Sequence, residues 1–149
     1  MLSGWQTVAL SLGAAFLTGS FALLVAWLNV RAQRREQLRV RRVEAASDYS
    51  KRFVAASDAV RYALDHRDDS AAADNAPYLA GEVTELLGPL SLLFGSRSGS
   101  DEAARAAFGQ LRRAGAAVKA GDYDGAEQSL ADSEASRERF EAAVLKAVG

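Results

Sequence analysis

The stretch Trp5–Val30, WQTVALSLGAAFLTGSFALLVAWLNV, carries no charged side chain, and the arginine-rich run RAQRREQLRVRR follows it at once. No other feature constrains the chain as strongly, because a segment this long and apolar must leave water on every side. A bilayer core about 30 Å thick needs roughly 20 apolar residues in a helix. A helix also pairs its own backbone groups, as hydrocarbon demands. Trp5 and Trp27 stand near the two ends of the stretch, at the depth where indole rings favour the headgroup layer. The alternative, a cleaved signal peptide, calls for a basic leader, a shorter apolar core and a small-residue cleavage site. Met1–Gly4 has no basic side chain and no A-x-A site follows the stretch. The expectation is an uncleaved single transmembrane helix.

Charge sets its direction. Arg31, Arg34, Arg35, Arg39, Arg41 and Arg42 follow the stretch against Glu36 alone, a net charge of +5, whereas no lysine or arginine precedes it. The positive-inside bias then places the N-terminus outside and the remainder of the chain in the cytoplasm, at the plasma membrane. The same arginines form a basic juxtamembrane segment suited to anionic lipid headgroups, at roughly 1 kcal/mol each near the surface. Nucleic acid is not expected as a partner, since no aromatic side chains interleave the run. Within the apolar stretch Ser11, Ala15 and Gly19 recur every four residues. Small residues at that spacing let two helices approach closely, so this face is a candidate for self-association.

Beyond Arg42 the composition favours helix. Alanine is abundant, β-branched residues are few, only Pro77 and Pro89 interrupt the backbone, and no alternating strand pattern appears. Cysteine is absent and His66 is the sole histidine, which removes disulfides, thiol catalysis and thiolate or multi-histidine metal sites. From Val43 onward 12 basic residues face 18 acidic ones, a net charge of −6. The chain therefore reads as an acidic body beyond a basic collar.

The pattern predicts an all-α architecture: one N-terminal transmembrane helix (5–30) continuing into a cytoplasmic bundle of about four helices (43–149). The first bundle helix, 31–67, extends the span; Val43, Ala46, Tyr49, Phe53, Val60 and Leu64 lie along one stripe. It should stop at the polar cluster HRDDS, with His66 as a surface residue. A second helix over 76–95 is expected to start at an Asn75 cap and to kink or break at Gly88-Pro89. A third, 100–120, would be capped by Ser100, present Ala104, Ala107, Phe108, Leu111, Gly115 and Val118 inward, and stop at Gly121. A fourth, 123–148, begins at Asp122 or Asp124 and carries Ala126, Leu130, Phe140, Val144 and Ala147. Ser133 and Arg137 fall on the same stripe.

The segment AAVKAGDYDGAEQSLADSEA (Ala116–Ala135) resembles the turn between the two helices of a tetratricopeptide unit, through Gly121, Asp122, Tyr123 and Ala126. The likeness implies an antiparallel hairpin of the last two helices; no second copy follows at the required period. The layout as a whole is similar to uncharacterised membrane-anchored helical proteins of high-GC bacteria. These have an N-terminal span, an Arg-rich collar, and a Leu-rich helix ending in a small-residue turn before an Ala-rich helix, here LLFGSRSGSDEAARAAFGQL (Leu92–Leu111). That resemblance is architectural and implies no activity.

Catalysis is not expected. The pairs Asp68/Asp69 and Asp101/Glu102 are read as turn and first-turn residues, and general acid–base work needs buried, positioned carboxylates. Phosphate-loop, dinucleotide and nucleophile-elbow motifs are missing. No cofactor, metal or small-molecule substrate is implied. The expected function is a tethered interaction or adaptor module, with membrane lipids and a protein partner or a second copy as its contacts. The alternative is a small membrane-active, toxin-type or conjugation accessory protein that acts by oligomerising its span.

Overall fold

Helix α1 runs from Gly4 to Asp65. The computed structural model describes the backbone of residues 4–149 and the side chains of residues 22–149. Ser11, Ala15 and Gly19, and most of the Trp5–Val30 stretch, therefore lie outside the described side chains. Among the described residues no helix is long and apolar enough to cross a membrane. The chain divides into two units, Met1–Leu38 and Arg39–Gly149. All described secondary structure is α-helical: after α1 come α2 (Ser70–Glu82), α3 (Thr84–Phe94), α4 (Gly99–Ala120) and α5 (Tyr123–Val148).

Within the Arg39–Gly149 unit, α1 buries Ala46, Tyr49, Phe53, Ala56, Val60, Ala63 and Leu64. Spacings of three and four residues put them on one face. Val43, counted on that stripe above, is 47% exposed instead. The Tyr49 ring meets Phe140 of α5 at 4.8 Å between centroids. Its hydroxyl donates to the Ala104 carbonyl of α4 at 2.7 Å. One side chain thus ties three helices together.

The second arm departs from expectation in three places. Asp69, not Asn75, is the cap: its Oδ1 accepts from the Ala71 and Ala72 amides at 3.0 and 3.1 Å, so SAAADN is the start of α2 and not a connection. Pro77 lies inside α2. The helix is interrupted at Val83, not at Gly88-Pro89, and Pro89 lies within α3. Restarting the helix at Thr84 leaves Pro89 in the second turn, where it still removes one helical amide donor, to the Glu85 carbonyl. The buried residues Ala72, Ala76, Ala80, Val83, Leu87 and Leu90 keep spacings of four and three through the interruption. Both halves therefore present one continuous face to α4.

Helix α4 starts one residue earlier than expected, because Ser98 and not Ser100 caps it: the Ser98 Oγ accepts from the Asp101 amide at 3.1 Å. Ser100 is buried. At Gly115 a Cβ would stand 3.0 Å from the Pro77 Cα, so α2 and α4 cross backbone to backbone there. The α4–α5 connection is a Schellman turn. Gly121 adopts φ +77°, its amide donates to Val118 O, and the Asp122 amide donates to Ala117 O at 2.9 Å. Asp122 then caps α5 through the Gly125 amide at 3.0 Å. Ala147, assigned above to the core, is exposed in the last turn.

Candidate functional site

Two groups of residues bear on function: the apolar-to-basic transition in α1, and the polar cluster that closes one end of the bundle. In the first, every described residue from Ala22 to Val30 is exposed, and so is every residue from Arg31 to Arg41. Leu23, Leu24, Val25, Trp27, Leu28 and Val30 are between 40% and 74% exposed. The Arg31 guanidinium lies 5.2 Å above the Trp27 ring. This cation–π pair places a charge and an amphipathic ring at one level of the helix. Arg34, Arg35, Arg39 and Arg41 project from the helix with their side chains open to solvent.

Arg42 behaves differently from the other five arginines. It is half-buried, its Nε donates to the Leu93 carbonyl at 2.8 Å, and its guanidinium lies 5.7 Å from the Phe94 ring. Leu93 is in the last turn of α3, where carbonyls have no helical donor. Arg42 supplies one. It is therefore a structural tie between α1 and α3 as well as a collar residue, and its position in a basic run gave no sign of that.

The second group is built on Asp101, which is 4% exposed. Its Oδ1 accepts from the Ser91 hydroxyl. Its Oδ2 accepts from the Arg97 amide at 3.2 Å and from Arg105 Nε at 3.0 Å. Arg105 Nη2 also donates to Ser91 Oγ at 2.7 Å. Burial pushes the Asp101 carboxyl up, but the hydrogen bonds from Ser91, Arg105 and the Arg97 amide and the Arg105 charge outweigh it. The net result holds its pKa below the usual carboxylate value. The sequence reading placed Asp101 in a solvated first turn. Its partners Ser91 and Arg97 lie on α3 and the α3–α4 loop, and only the folded chain brings them together. The cluster holds the loop in place.

The remaining sequence candidates have structural explanations. His66 is exposed, stacks on Tyr62 at 4.1 Å between ring centroids, and approaches the Tyr62 carbonyl through Nδ1 at 2.9 Å. Asp69 is a cap. Ser133, polar in the middle of the α5 stripe, is fully buried and donates to Leu130 O at 2.7 Å. The Arg137 side chain is mostly buried, 27% exposed, and donates to Glu141 at 2.7 Å. Ser57 Oγ is buried without a hydrogen-bond partner. Among the described residues no group of three or more metal-ligating side chains converges. No family model, no curated protein and no solved structure matches the chain.

Proposed function

We propose that this chain is a non-enzymatic, single-pass membrane-tethered interaction module. Trp5–Val30 is its span, Arg31–Arg42 its headgroup-level collar, and the Arg39–Gly149 bundle its docking body on the cytoplasmic side of the plasma membrane. The observation that carries this reading is the helix from Ala22 to Val30: apolar apart from Asn29, exposed on all faces, and followed without interruption by exposed arginines. A helix that is apolar all round needs apolar surroundings all round, and lipid supplies them. The mechanism is localisation: confinement near a surface raises the effective concentration of whatever the bundle holds, a partner protein or a second copy.

Fractionation of the full chain carrying a C-terminal reporter tests it. The chain should stay in the membrane pellet after an alkaline wash. A C-terminal fluorescent protein should fluoresce, and a C-terminal alkaline phosphatase should be inactive. Recovery in the soluble fraction with Trp5–Val30 intact would overturn the anchor. Proximity labelling from the C-terminus that enriches neither a partner nor the chain itself would overturn the docking role.

A further inference from the structure

We infer that the end of the bundle where α1 enters it docks on the anionic headgroup surface of the membrane, through Leu92, Leu145, Arg97 and Lys146 together with Arg39 and Arg41. The inference rests on the reading of Trp5–Val30 as a span.

Three elements meet at that end. Arg42 reaches the Leu93 carbonyl at the end of α3. A concavity of about 500 Å³ beside it is lined by Arg42, Phe94, Ser98, Ala143, Lys146 and Ala147, which brings in the start of α4 and the last turn of α5. Four of the exposed large apolar residues of the unit lie at this end. Leu92 is 88% exposed and adjoins Leu93; Leu145 is 71% exposed and adjoins Lys146; Val40 and Val43 are each 47% exposed. One exposed leucine on a surface needs no explanation, but two leucines and two valines exposed at one end of the unit give that end apolar surface suited to an apolar boundary.

Charge selects the occupant. Arg39, Arg41, Arg97 and Lys146 are exposed at this end, against Glu44 and Glu102. The opposite end, formed by the α1–α2 and α4–α5 turns, presents Asp65, Asp68, Asp122, Asp124 and Glu127 against Arg67 and Lys119, an excess of acidic side chains. An anionic surface attracts the first end and repels the second, so it also orients the body. Only eight residues separate Val30 from Arg39, a reach of at most about 30 Å even when extended. Tethering at that range populates contacts too weak to form in free solution. Leucines beside cations match the headgroup boundary, where apolar side chains insert and ammonium or guanidinium groups meet phosphate.

The absence of cysteine makes a site-specific test direct. The full chain is reconstituted in phosphatidylcholine vesicles with or without phosphatidylglycerol. An environment-sensitive fluorophore is placed at Leu92→Cys, Leu145→Cys or, as the far-end control, Asp68→Cys. Probes at 92 and 145 should shift to the blue and be quenched by headgroup-level nitroxides only when phosphatidylglycerol is present; the probe at 68 should not respond. Arg97→Gln and Lys146→Gln should each lower the docking constant about fivefold, and together about twenty-five-fold. Quenching of Trp5 and Trp27 by brominated acyl chains reports the anchor separately. Quenched tryptophans with probes indifferent to phosphatidylglycerol would overturn the docking and leave the anchor standing. Unquenched tryptophans would overturn the anchor and the docking with it. A probe shift that ignores lipid charge but grows with protein-to-lipid ratio would assign this end to a second copy of the chain and overturn the membrane contact.

Discussion

The two ends of the Arg39–Gly149 unit are closed by the same residue types under different solvation. At the turn end, Arg67 lies 4.6 Å above the Tyr123 ring, its Nη2 is 3.7 Å from Glu127, and both charged side chains are more than half exposed. At the collar end, Arg105 is equally exposed, but its carboxylate partner Asp101 is almost wholly buried and accepts from three separate donors. Exposed pairs contribute about 0–1 kcal/mol because water competes for both charges. A buried carboxylate with its lone pairs filled is different, since deleting it removes an acceptor from three donors at once. The difference teaches that ion-pair geometry alone ranks neither end; the burial of one oxygen pair does.

The comparison can be broken by mutation. Asp101→Ala should cost about 2–4 kcal/mol, because the Ser91 hydroxyl, the Arg97 amide and Arg105 all lose an acceptor; urea unfolding followed by circular dichroism measures it. A loss below that of an exposed-pair variant would remove the distinction between the ends. If instead the waist of the bundle dominates, Gly115→Ala will exceed it. Its Cβ would stand 3.0 Å from the Pro77 backbone, and the expected cost of forcing α2 from α4 is about 1–3 kcal/mol.

Tyr49→Phe sharpens the contrast at the bundle centre. It should cost about 1 kcal/mol for the lost bond to Ala104 O, and it should change the alkaline limb. Burial pushes the Tyr49 phenol well above its ordinary value, so the neutral form is favoured in the fold. Stability from this group is fully present below the unfolded pKa of about 10 and is lost as pH rises beyond it. The variant should lack that loss. Asp101 has the opposite sign: its pKa is lowered in the fold, so its contribution is present above the unfolded value, near 4, and declines as pH falls through the folded value. An acid-unfolding profile of the Asp101→Asn variant should lose this component. Smallest of all, Arg67→Ala should cost under about 1 kcal/mol, and 1 M salt should weaken it further, whereas the Asp101 cluster should be nearly insensitive to salt.

Much of the bundle is legible from periodicity. The α1 stripe through Tyr49, Phe53 and Val60, the α4 face from Ala104 to Val118 and the stop at Gly121 follow from spacing and from the one residue type that accepts φ +77°. The second arm is where local rules mislead. Asn75 and Pro77 look like a helix start and Gly88-Pro89 like a break. Asp69 nevertheless supplies an earlier cap, and the apolar face Ala72–Leu90 is worth more when kept continuous than either proline costs. Asp101 was hidden for another reason: an Asp-Glu pair after a serine satisfies every local criterion of a helix first turn, and its decisive partners sit across the α3–α4 loop.

Sequence alone determined the all-α class, the charge-free stretch ahead of its arginine collar, and the apolar faces that must be covered, because these depend on side-chain chemistry read at fixed helical spacing. Tertiary structure alone decided that Arg42 serves α3, that the helix is interrupted at Val83 and not at Pro89, and that Asp101 is buried among donors. Those outcomes turn on which backbone groups are left unpaired when helices meet, and that is a property of the packed chain rather than of any segment of it.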